Sequence, residues 1–143
     1  MKILFDTSVL VASIVEAHPE HAKALPWLAR VENDSDSGFL AAHSLAELYA
    51  ILTTLPVRPS ISPAIAWKLI AHITGRLEVI FLSAQDYAGI IERLAELGIT
   101  GGATYDALIT RAAIKANVDL IVTLNPKDFH RVSPELADKI ISP

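Results

Sequence analysis

Short apolar runs alternate along this chain with longer stretches whose apolar residues recur every three or four positions. The short runs fall at residues 2–5, 38–41, 78–82, 119–123 and 138–141, and their length and polar flanks predict β-strands. The longer stretches predict helices with readable ends. Ser62 and Pro63 supply a cap and a first-turn proline, and Gly75 stops that helix. Ser83 and Asp86 have the spacing of a capping box, after which Tyr87, Ile90, Ile91 and Leu94 keep one apolar stripe until Gly98. Tyr105, Leu108, Ile109, Ala112, Ala113 and Ala116 form the cleanest helical stripe of the chain. Pro26 interrupts the pattern of residues 21–31, which predicts either a kinked helix or two short ones. Residues 33–38 read as a polar turn into the second strand, and prolines bound a loop at residues 55–59. Strands separated by helices imply βαβ units, hence an α/β fold with a mainly parallel sheet. No repeat or linker divides residues 1–143, so one domain is expected.

Against that pattern the acidic residues stand out by position. Asp6 ends the first apolar run, and an apolar helix-like stretch follows it. Asp at such a place is a common helix cap, yet Asp6, Thr7 and Ser8 also cluster a carboxylate with two hydroxyls, a donor set suited to a hard cation. Glu47 follows the second strand in Ser44-Leu-Ala-Glu47, which also has the form of a capping box. Asp106 lies in the first turn after Thr104, where an acid complements the helix dipole, but it borders the apolar stripe. Asn125 and Asp128 follow the fourth strand, in a segment where turn chemistry alone accounts for Asn-Pro. Each acid has an ordinary explanation. Jointly they mark the carboxyl ends of several strands, where open α/β sheets bind their ligands, and they predict a divalent-metal site for phosphate-ester chemistry.

Composition narrows the alternatives. Apolar residues make up 52% of the chain, above the usual share, which hints at an interface between copies. No apolar stretch approaches the ~18 residues of a spanning helix. Lys2 and the apolar run Val9-Leu10-Val11-Ala12 imitate a signal peptide, but Asp6 sits inside the would-be apolar region and no clean small-x-small cleavage site follows. The absence of cysteine removes disulfides, thiolate ligands and a cysteine nucleophile, and fits a cytoplasmic protein. A net charge of −4 with scattered Lys and Arg gives no basic patch to grip nucleic acid; metal bound to the acids would relieve part of that charge. The five histidines form no H-E-x-x-H motif, although His43 stands where it could approach Glu47. No Gly-rich phosphate loop and no Gly-x-Ser-x-Gly elbow is present.

In order, Ile3-Leu4-Phe5-Asp6-Thr7-Ser8-Val9-Leu10, Ala46-Glu47-Leu48, Asp106-Ala107-Leu108-Ile109 and the segment from Val122 to Phe129 resemble the PIN domain, in particular single-domain toxins of the VapC type, which pair with VapB antitoxins. The likeness runs from residue 2 to about residue 131. It implies a three-layer α/β/α sandwich and a Mg²⁺- or Mn²⁺-dependent ribonuclease, with an RNA substrate, a VapB-type antitoxin and no membrane association. A homodimer is expected from the small size and apolar composition. By the resemblance Asp6, Glu47 and Asp106 are the acidic metal ligands, and Asn125 takes the place where many members carry a fourth acid. Asp128 could compensate for the charge Asn125 lacks, and Thr7, Ser8 and Thr123 match supporting hydroxyls. Two other readings compete. One is a PIN-like scaffold without catalysis, which retention of three acids opposes. The other is a phosphatase on a similar sheet, which would want Asp-x-Asp after the first strand, where this chain has Ser8.

Overall fold

In β1 (Lys2–Phe5) the side chains of Ile3 and Phe5 point to one face and Leu4 to the other, and all three are fully buried. A strand covered on both faces is central, and its residues are continuously apolar for that reason. The computed structural model describes residues 1–143. In it β1 pairs in parallel with β2 (Ser37–Ala41) on one side and β4 (Leu120–Val122) on the other. β3 (Leu77–Ile80) adds beyond β2 and β5 (Ile140–Ile141) beyond β4, giving the all-parallel order β3-β2-β1-β4-β5. The strand order reverses at β1, whose neighbours β2 and β4 are reached by separate excursions of the chain. That reversal opens a crevice at the carboxyl ends of β1 and β4.

Helices cover both faces. α1 (Thr7–Ile14), α2 (His21–Glu32), α3 (Ala42–Leu52) and α4 (Pro63–Thr74) pack Leu10, Leu28, Leu48 and Ile70 around Ile3, Phe5 and Leu40. On the other face α6 (Ala103–Ala116) and α7 (Pro126–Val132) set Ile109, Ala112 and Phe129 against Leu4, Phe39 and Ile121. α5 (Ala84–Leu97) lies outside α6, joined to it through Ile90, Leu94 and Leu108. The result is the expected three-layer sandwich.

The local signals hold where they are local. Ser62 accepts from the N–H of Ile65, and the Ser83–Asp86 capping box forms both of its hydrogen bonds. Gly98 closes α5 in the left-handed conformation, at φ 65°. Pro26 neither splits nor ends α2, because Ala24, Leu28 and Val31 are anchored in the core on either side of it. Three predicted strands are trimmed. The third begins at Leu77 and stops at Ile80, the fourth covers only Leu120–Val122, and Asp138 belongs to a 3-10 helix (Pro134–Lys139) ahead of β5. Three expected stripe residues, Tyr87, Ile91 and Tyr105, are 39%, 57% and 50% exposed and so stand outside the core.

Candidate active site

Asp6 is the innermost acid. It follows β1 directly, its backbone N–H donates to the Val122 carbonyl of β4 at 3.0 Å, and its side chain is only 5% exposed. It occupies the N-cap position of α1 without making a side-chain capping bond. Instead its Oδ2 accepts from Ser8 Oγ at 2.5 Å and from Thr123 Oγ1 at 2.7 Å. Those hydroxyls are held in turn by the loop after β4: Leu124 N–H donates to Ser8 Oγ at 3.1 Å and Asn125 N–H to Thr123 Oγ1 at 3.0 Å. Two hydroxyls therefore fasten one carboxylate oxygen, and no side chain donates to the other. Burial raises the pKa of Asp6, and the bonds from Ser8 and Thr123 oppose that rise.

Glu47 does not close a capping box. The chain passes from β2 into α3 with Ala41 as the N-cap, which places Ser44 inside the first turn, fully buried and with its hydroxyl unpaired. Glu47 is thereby free to face the strand ends, where its Oε1 accepts from Thr7 Oγ1 at 3.2 Å. His43 Nε2 lies 3.1 Å from the same oxygen, off the line a hydrogen bond needs. The His43 ring stacks on Tyr105, with centroids 4.8 Å apart and planes 6° from parallel.

Asp106 registers the other acids. Its pKa is pushed up to about 7, first by burial, then by the charges of Asp6, Asp128 and Glu47, with Arg131 acting against them. Four carboxylates, drawn from the β1–α1 junction, α3, α6 and α7, thus share one electrostatic site. They do not form a closed cage, since no three His, Cys, Asp or Glu side chains stand together at metal-holding distance. All are hard oxygen donors, and a carboxyl whose charged form is so disfavoured gains from a cation beside it. Mg²⁺ commonly keeps several of its waters and takes only one or two carboxylates, so an open arrangement suits it.

Asn125 is exposed, and its side chain makes neither a capping bond nor any other hydrogen bond; it meets the site through its backbone N–H. Asp128 is exposed too, yet its charge reaches Asp106. Two site neighbours escaped the sequence reading. Arg131 looked like one of many scattered basic residues, although its spacing of three from Asp128 on one helix was a usable sign. Tyr105 was absorbed into an apolar stripe.

The PIN domain family model matches residues 3–134. Ribonuclease VapC40 of Mycobacterium tuberculosis is 39% identical over 116 residues, covering 81% of this chain and 81% of its own length. Ribonuclease VapC27 of the same species is 36% identical over 116 residues, 80% of this chain and 79% of its own. Among solved structures, VapBC2 from Rickettsia felis, bound to a DNA fragment from its promoter, superposes with a TM-score of 0.65 at 23% identity over 100% of this chain and 98% of that one. VapBC-1 from nontypeable Haemophilus influenzae gives 0.62 at 18% identity over 94% of both chains; these two likenesses concern the fold. No helix of the chain is long and apolar enough to cross a membrane. With the family model matched over residues 3–134 and relatives of 36–39% identity covering about 80% of it, the chain belongs to the PIN-domain family.

Proposed function

We propose that this chain is a divalent-metal-dependent endoribonuclease, using Mg²⁺ or Mn²⁺, and the toxin of a cytoplasmic toxin–antitoxin pair whose partner is a VapB-type antitoxin. The observation that carries the reading is Asp106, held near neutrality by burial and by the three acids around it. A purely structural acid would be paired; this one is set among like charges, an arrangement that a bound cation relieves. The relatives named as VapC ribonucleases support RNA as the substrate, and the neighbouring VapBC structures support the antitoxin.

Asp6, Glu47 and Asp106 would hold the cation, and Asp128 would supply the fourth negative charge in place of Asn125. Bound there, a divalent ion lowers the pKa of a water and offsets charge on the scissile phosphate. Ser8 and Thr123 fix the rotamer of Asp6, and Thr7 fixes Glu47, so the donors need little rearrangement when the ion arrives. Asn125 contributes by holding Thr123 through its backbone. The nuclease unit is the whole of residues 1–143, since every helix packs on the single sheet or on a helix that does.

The test is cleavage of oligoribonucleotides by the purified chain with Mg²⁺ or Mn²⁺, with EDTA, and with Asp6→Asn. Activity is expected only with metal and is expected to fall at least about a hundredfold in the variant. Undiminished cleavage after metal-free dialysis would overturn the reading.

A further inference from the structure

We propose that the open face of Tyr105, backed by the His43 ring, is a stacking platform for one unpaired RNA base beside the scissile phosphate. This rests on the ribonuclease reading and specifies how the substrate is held.

Tyr105 is half exposed on a helix whose neighbouring stripe residues, Leu108 and Ile109, are buried. It adds little to the core, and its hydroxyl makes no hydrogen bond to the rest of the chain. What it does have is a parallel aromatic backing: the His43 ring stacks on it with centroids 4.8 Å apart, and half of the Tyr105 surface remains exposed. A parallel stack at that separation is offset, a favourable arrangement that stiffens both rings. The plate also stands beside the acids at both ends. Tyr105 directly precedes Asp106, and His43 Nε2 lies 3.1 Å from Glu47 Oε1.

The turn before Tyr105 is bare. A Cβ added to Gly101 or Gly102 would meet nothing within 4 Å. Gly102 has an ordinary helical φ of −61°, so neither packing nor backbone conformation requires glycine there. Those two positions leave open space in the turn just ahead of Tyr105. Stacking also fits the charge of the chain. A subunit of net charge −4 cannot rely on counterion release to hold RNA, whereas base–aromatic stacking needs no positive charge and tolerates any base.

The test uses the full chain with Tyr105→Leu, which keeps apolar bulk without a ring, and Tyr105→Phe, which keeps the ring. Both are compared with the wild type in cleavage and in sedimentation. In the Asp6→Asn background, binding is followed with oligoribonucleotides carrying 2-aminopurine at successive positions. One position should be quenched by the parent and the Phe variant but not by the Leu variant, with affinity about tenfold lower in the latter. In the active protein the Leu variant should lose most through KM. Wild-type cleavage with an unaffected Leu variant would overturn the platform and leave the ribonuclease standing. Failure of the wild type to bind or cleave RNA would remove both. A changed sedimentation coefficient for the Leu variant would make Tyr105 a contact between copies and overturn the platform.

Discussion

Asp106 binds its proton up to a pH of about 7 in the folded, metal-free protein, against 3.8 for an ordinary aspartate. Between those values the folded state carries a proton that the unfolded state has released, so this group's contribution to stability is full below 3.8 and is lost as pH rises through 7. The melting temperature of the EDTA-treated protein should therefore fall as pH rises from about 5 to about 8. Asp106→Asn should flatten most of that slope, leaving a remnant from Asp6, whose pKa is also raised. An unaltered slope in the variant would detach Asp106 from the cluster. Asn125 offers a second test, because Asp128 already reaches Asp106 electrostatically while Asn125 meets the site only through its backbone N–H to Thr123. Asn125→Asp adds a carboxylate beside the site: repulsive without metal, attractive to a hard cation. It should bind Mn²⁺ more tightly in calorimetric titration and lose stability without metal. Asn125→Ala should gain no affinity. Equal affinities for wild type and Asn125→Asp would reduce Asn125 to a turn residue, since Asp forms that turn equally well.

At the scale of elements, β2 is tied to the layer beneath it by the absence of a side chain. A Cβ on Gly38 would lie 2.0 Å from Leu77 Cδ2 and 2.9 Å from Val31 Cγ1. Leu77 and Val31 are both buried, and Val31 is β-branched, so neither can swing aside cheaply. Gly38→Ala should cost about 1–3 kcal/mol in urea unfolding, the range for overpacking a filled core. A neutral result would mean that Leu77 repacks. In sequence Gly38 looks like the end of a turn, and nothing local announces the clash. Caps at Ser62, Ser83 and Gly98 were legible because donor and acceptor lie within a few residues of each other. Ser44-Leu-Ala-Glu47 has the same local form and misleads, because β2 runs straight into α3 and sets the helix start at Ala41 instead of Ser44. That start is fixed by strand pairing, a non-local cause, and it is what frees Glu47 for the site. Periodicity likewise identified the stripe of α6 but not that Tyr105, at its edge, is half exposed with the His43 ring stacked on it.

For the molecule as a whole, the parallel sheet was legible from the alternation of elements, and the strand-end position of the acids followed from it. The strand order was not, because pairing between residues more than a hundred positions apart leaves no spacing signal. The same order shows where apolar surface remains. β3 is an edge strand, α4 precedes it and α5 follows it. Trp67 on α4 is 66% exposed, Phe81 just past β3 is 72% exposed, and Ile91 on α5 is 57% exposed. Large apolar side chains left open on elements around an edge strand are better explained by a second subunit than by solvent. A dimer would also bring the scattered Lys and Arg of two chains along one RNA, which a single subunit of net charge −4 does poorly. The purified chain should therefore sediment as a homodimer at micromolar concentration. Phe81→Ser and Trp67→Ser should each weaken the dimer by about thirtyfold, the loss of one interface hot spot of about 2 kcal/mol. Because both side chains are mostly exposed in the single subunit, neither change should unfold it. A wild-type monomer at that concentration with full RNA cleavage would contradict the assignment. A dimer indifferent to both substitutions would move the interface away from the β3 edge.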